Sequence, residues 1–161
     1  MQVLWAPWRM AYVGGPKAAG CIFCTALTAP DPRAALVLAQ RPALVMLNRF
    51  PYASGHLMVA PHRHVADLGA LPTDEFQTLM GVLQRAVTLL TDAYHPEGIN
   101  IGLNLGAAAG AGVTDHLHWH IVPRWGGDTN FMPMLADVRV IPEHLEATYD
   151  RLRPLFMPLA A

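Results

Sequence analysis

Charge is scarce in this chain of 161 residues: Asp, Glu, Lys and Arg together make up 14%, and the net charge is −1 with the histidines neutral. A chain so balanced carries no whole-molecule electrostatic footprint for nucleic acid. Long apolar runs are also lacking, and none approaches the roughly 20 residues that cross a membrane. The N-terminus does not show the charged-then-apolar order of a secretory signal. These absences make a cytoplasmic protein, binding neither membrane nor nucleic acid, the expectation. Cysteine is nearly missing: Cys21 and Cys24 are the only two. That excludes a disulfide scaffold. Their C-x-x-C spacing points to metal binding or redox chemistry, with a merely packed pair as the plain alternative.

What the chain does have is apolar material, 53% of residues, enough for the core of one domain. The first twenty residues, with Trp5, Pro7, Trp8, Gly14, Gly15 and Pro16, follow neither a strand nor a helix period. They are expected to form an arm, residues 1–20, on a single domain of residues 21–161. Short apolar runs at 36–39, 43–47 and 56–60 predict strands, separated by Arg41-Pro42 and by the punctuated stretch Asn48 to Gly55. Residues 73–94 predict the clearest helix. Thr73 is a candidate cap, Asp74 and Glu75 suit the positive end, and Leu79, Leu83, Val87 and Leu90 form one apolar face. Alternation over 99–105 and again over 116–124 predicts two further strands, and residues 143–152 a C-terminal helix. The order and the short connections give an α+β fold with antiparallel pairing.

The sharpest feature is His116-Leu117-His118-Trp119-His120-Ile121-Val122. Alternate side chains of a strand share a face. Three imidazoles therefore line one side while Leu117, Trp119 and Ile121 enter the core. Such an array is costly to keep without a task, because charged imidazoles repel and buried ones need partners. Metal binding alone would also account for it. The small-residue loop Gly106 to Gly112 runs into this strand, and its glycines let backbone amides approach an anion.

This H-φ-H-φ-H-φ-φ segment is the signature of the histidine-triad superfamily, and the chain resembles that superfamily over most of its length. Asn48 to His56 resembles the N-x-x-P-x-x-x-G-H segment of the fragile-histidine-triad branch. Gly98 to Asn104, Pro123 to Phe131, Trp5 to Arg9 and Cys21 to Cys24 are similar to segments of the bacterial diadenosine-tetraphosphate phosphorylases and their relatives. The resemblance implies a five-stranded antiparallel sheet with one long and one C-terminal helix, and homodimers. It implies cleavage of a dinucleoside polyphosphate, or another purine nucleotide, through a covalent nucleotide on His118. His120 would contact the phosphate and help the leaving group depart. His56 would bond within the cluster and hold the nucleophile's tautomer, and His116 completes the array. Asn48 would bind ribose, Leu47 and Phe50 would border the base, and Asn104 with the backbone of Gly110, Ala111 and Gly112 would hold phosphate oxygens.

The resemblance also implies a structural zinc ion on Cys21, Cys24, His64 and His116, as in some bacterial histidine-triad proteins and galactose-1-phosphate uridylyltransferases. His62 is the rival to His64. Phosphorylases of this branch tend to carry a hydroxyl residue near the position of Gly112, and this loop has none there. Release of the nucleotide by water is therefore favoured, with phosphorolysis as the alternative. A nucleotide-binding module with little turnover and a purely structural zinc protein are the competing classes.

Overall fold

The computed structural model describes residues 20–126 and 143–160. A short helix, α1 (Ile22–Leu27), precedes three strands, β1 (Val37–Ala39), β2 (Leu44–Leu47) and β3 (Leu57–Ala60). The long helix α2 (Thr73–Tyr94) leads to β4 (Gly98–Leu103) and β5 (Trp119–Arg124), and α3 (Leu145–Phe156) follows. The five strands form one sheet in the order β1-β2-β3-β5-β4, antiparallel at every pairing. The α+β fold and the antiparallel sheet stand as expected. The proposed arm at residues 1–20 lies, except for Gly20, outside the described residues, as does the stretch from Gly127 to Phe131. No helix among the described residues is long and apolar enough to cross a membrane.

Both faces of the sheet are covered, which is why β2 and β3 read as unbroken apolar runs rather than alternating ones. On one face Val45, Leu47, Leu57, Val59, Trp119 and Ile121 pack against Leu79, Val82, Ala86 and Leu90 of α2 and Leu152 and Phe156 of α3. On the other, Val37, Leu44, Met46, Met58 and Ala60 pack against Phe23 and Ala26 of α1. Directly paired residues in an antiparallel ladder share a face. Leu47, Leu57 and Ile121 make one such row, and Met46, Met58, His120 and Gly102 make the other.

Three local expectations need correction. The β5 ladder begins at Trp119, not at His116, although Leu117 still enters the α2 core. Thr73 is the first helical residue rather than a cap: Pro72 occupies the cap position, and no side chain bonds there. The last helix starts two residues later and runs on to Phe156, with Pro154 near its end, where the missing N–H of a proline breaks only one bond.

Gly55 places the loop that precedes β3. Its φ is +78°, and a Cβ there would stand 3.1 Å from Leu90 Cδ1 and 3.3 Å from Pro123 Cγ. Only glycine satisfies both constraints. The loop closes with Asn48 N–H donating to the His56 carbonyl (2.9 Å) and His56 N–H donating to that of Ala53 (3.1 Å).

Candidate active site and metal centre

Hydrogen bonds fix the proton positions of the histidines one after another. The Tyr52 amide donates to His56 Nδ1 (3.1 Å). His56 therefore carries its proton on Nε2, 2.9 Å from His120 Nδ1, and donates it there. Neutral His120 then keeps its own proton on Nε2. His118 follows a separate rule: its Nδ1 donates to the backbone carbonyl of His116 (2.9 Å). That leaves the lone pair on Nε2. His118 is 4% exposed, and burial pushes its pKa down, favouring the neutral ring. The His118 and His120 rings meet edge to face with centroids 4.9 Å apart.

The array thus divides into parts with different tasks. The expectation that His56 holds the tautomer of the nucleophile meets a bond from His56 to His120, while His118 Nδ1 donates to the His116 carbonyl. Tyr52 stacks on His56 with centroids 5.0 Å apart, a support that the sequence offered no signal for.

His116 turns its side chain elsewhere. Its Nε2 donates to the Pro61 carbonyl (3.0 Å), and its Nδ1 faces Cys21 Sγ at 3.3 Å and Cys24 Sγ at 3.7 Å. His64 Nδ1 lies 3.4 Å from Cys24 Sγ, and its Nε2 is 3.6 Å from the Asp115 carboxylate. One ligand atom from each of Cys21, Cys24, His64 and His116 lies within 4.8 Å of all the others, so the cluster is able to hold a metal ion. The donor set fits a dication. Burial, and then the adjacent Cys21, push the Cys24 thiol up. The Cys24 thiol so placed resists ionising until a cation stands beside it. Pro61 and Asp115 contact the outer nitrogens of His116 and His64, the kind of contact that would orient imidazoles on a metal. His62 is not part of the cluster: its Nε2 meets the Gln40 carbonyl.

The nucleotide contacts expected from sequence are only partly brought together. Asn48 follows β2 and lies near Met58, its side-chain nitrogen 3.5 Å from Met58 Sδ, while its Oδ1 accepts from the Phe50 amide (2.8 Å). Phe50 is half-buried on the same loop. Leu47 is completely buried in the α2 core, on the face away from the histidines. Its place in the base site is corrected. Met46 and Met58 stand in the His120 row instead. Asn104 is half-buried, two residues beyond Gly102, which pairs with His120. The glycine loop forms a turn at Ala107–Ala109. There the amides of Ala109, Gly110 and Ala111 donate to carbonyls of the loop itself. Two of the three amides assigned to phosphate, those of Gly110 and Ala111, are thus already engaged, whereas Gly112 is exposed.

An antiparallel five-stranded sheet with hydrogen-bonded histidines on one face and a Cys/His cluster beside them defines the class of protein. The comparisons agree: the HIT domain model matches residues 31–127, and the chain belongs to that family. A Mycobacterium tuberculosis protein described as AP-4-A phosphorylase is 38% identical over 92% of this chain and 80% of its own length. A zinc-bound histidine triad family protein from Mycobacterium smegmatis superposes with TM-score 0.68 at 29% identity, covering 87% of this chain and 95% of the other. A hypothetical histidine triad nucleotide-binding protein from Sulfolobus tokodaii gives TM-score 0.67 at 25% identity, covering 86% and 93%.

Proposed function

We propose that this protein cleaves dinucleoside polyphosphates, such as diadenosine tetraphosphate, through a nucleotide held covalently on His118. The observation that carries this is the bond from His118 Nδ1 to the His116 carbonyl, which leaves Nε2 as a neutral, buried nucleophile. His118 Nε2 attacks the α-phosphorus, a P–N bond forms, and the bond to the departing polyphosphate breaks. His120 Nε2–H donates a hydrogen bond to the leaving oxygen, which departs as the phosphate anion of the product while His118 carries the positive charge of the new P–N bond. An acceptor oxygen then attacks the same phosphorus, the P–N bond breaks, His118 leaves as the neutral imidazole, and the acceptor's proton passes to solvent. From diadenosine tetraphosphate the first step releases ATP. Water as acceptor gives AMP, and phosphate gives ADP.

Phosphate is the acceptor that similarity to the M. tuberculosis protein supports. Water is the second reading, supported by a loop with no hydroxyl residue between Gly106 and Gly112. Asn48 is assigned to ribose, Phe50, Met46 and Met58 to the base, and Asn104 with Gly112 to phosphate oxygens. Zinc is the metal assigned to Cys21, Cys24, His64 and His116, since two thiolates and two imidazoles suit its tetrahedral preference. Bound there, it would tie α1 to the start of β5. The cluster takes only His116 from the array, which speaks against the purely structural zinc protein. β4 is an edge strand whose Ile101 is 47% exposed. Pairing β4 of two copies into a dimer would cover both. Two free thiols suit the reducing cytoplasm.

The test is product analysis on diadenosine tetraphosphate with and without millimolar phosphate, together with mass spectrometry of acid-sensitive adducts after rapid quenching. ADP with ATP supports phosphorolysis, and AMP with ATP supports hydrolysis. No cleavage of any dinucleoside polyphosphate would overturn the proposal.

A further inference from the structure

Phe23 sits between the two cysteines in the chain and is 0% exposed. Its ring centroid is 4.8 Å from that of His118, with the planes 33° apart, and 5.1 Å from that of His116. No other aromatic ring pair recorded among the described residues joins α1 to the histidines. The helix that carries Phe23 has only six residues and no side-chain cap at its start. A helix so short does not hold itself together in water. What fixes α1 is the burial of Phe23 and Ala26 and the turn of both thiols towards His64 and His116. The ring of Phe23 is thereby held against His116 and His118. It lies against an imidazole whose only other recorded restraint on tautomer is one hydrogen bond.

We propose that Phe23 is a positioning residue for His118: its ring, anchored by the Cys21 and Cys24 cluster, keeps the imidazole in the plane where Nδ1 meets the His116 carbonyl and Nε2 stays unprotonated. Phe23 packs in one cluster with Met46 and Met58, so its hold on His118 is read in the substrate-free protein, where contact with the base plays no part. This rests on the reading of His118 as nucleophile.

The test is Phe23→Leu, which keeps burial and helix propensity but removes the flat face. In the substrate-free, metal-loaded protein, two-bond proton–nitrogen spectra of the His118 ring report the tautomer. Wild type is expected to show a single Nδ1–H form and the variant a mixture. Adduct formation at saturating diadenosine tetraphosphate is expected to fall about 10- to 100-fold, the size of effect that a small misplacement of a reacting group produces, with metal content unchanged. A variant with a single Nδ1–H tautomer and the wild-type adduct rate would overturn the proposal. Should Phe23→Leu fail to fold, Phe23→Met, whose unbranched chain adapts to irregular space, carries the same two measurements. Wild type that forms no adduct sinks the nucleophile reading, whereas the tautomer spectra still decide the role of Phe23.

Discussion

His56 Nε2 stands 2.9 Å from His120 Nδ1, and the Tyr52 amide behind it determines which way the proton points. In the proposed mechanism this pairing leaves His120 Nε2–H as a hydrogen-bond donor to the departing oxygen. His56→Ala should therefore slow cleavage by about 100-fold, the lower end of what losing a donor to developing charge costs. The loss should shrink with substrates whose leaving group is weakly basic. Equal losses on activated and unactivated substrates would show that His56 supports the fold rather than this donor.

His118→Ala should lower turnover by about 1,000-fold or more, because only positioning and electrostatics remain once the nucleophile is gone. Nucleotide binding should survive, measured by calorimetry with AMP. The quenched wild-type enzyme should carry a nucleotidyl mass on the peptide containing His118, and the variant should carry none. A variant that turns over near the wild-type rate rules out this mechanism.

Elemental analysis of protein purified without chelator should find one zinc per chain, and Cys24→Ser should lower it. Because the cluster joins α1 to the residues before β5, stripping the metal should lower the melting temperature. Each kcal/mol lost corresponds to about 2–4 °C in a domain of this size. A metal-free sample with unchanged melting and activity would refute the assignment.

Two glycines with the same backbone sign should respond differently to alanine. Gly55 and Gly106 have φ of +78° and +80°, but only at Gly55 would a Cβ meet neighbours, Leu90 and Pro123. Gly106→Ala is expected to cost about 1 kcal/mol, the backbone strain alone. Gly55→Ala should cost about 2–4 kcal/mol, since overpacking adds to the strain. Chemical denaturation of the two variants measures the difference, and equal costs would contradict it.

Ile101→Lys places a charge on the exposed edge strand β4. If two copies join there, the variant should sediment as a monomer at concentrations where the parent is a dimer. A dimer unaffected by Ile101→Lys would move the interface elsewhere.

Several features were legible because they depend on local periodicity. The alternation of His116, His118 and His120 with Leu117, Trp119 and Ile121 assigns faces without knowledge of neighbours, and the structure keeps those faces even though the ladder starts at Trp119. The 3.6-residue spacing of Leu79, Leu83, Val87 and Leu90 marks α2 as a helix, and Thr73 to Tyr94, the span expected, is the span observed. The C-x-x-C spacing is enough to propose a metal pair but not its partners; Cys21 stands at the cap of α1 and Cys24 within the helix.

Cross-strand register decided the rest. Leu47 and Met46 are adjacent and both apolar, and nothing local tells which one faces the histidines. That follows only from Met46 pairing with Met58, and Met58 with His120. His56 and His120 are 64 residues apart, so which histidine the former steadies depends on how β3 lies against β5. The glycine loop looked open in sequence because glycine permits an anion to approach, yet its amides close on Gly106 and Ala107. A periodic pattern fixes the side of an element on which a residue lies. What that residue touches is set by long-range pairing, where a shift of one position exchanges the two faces.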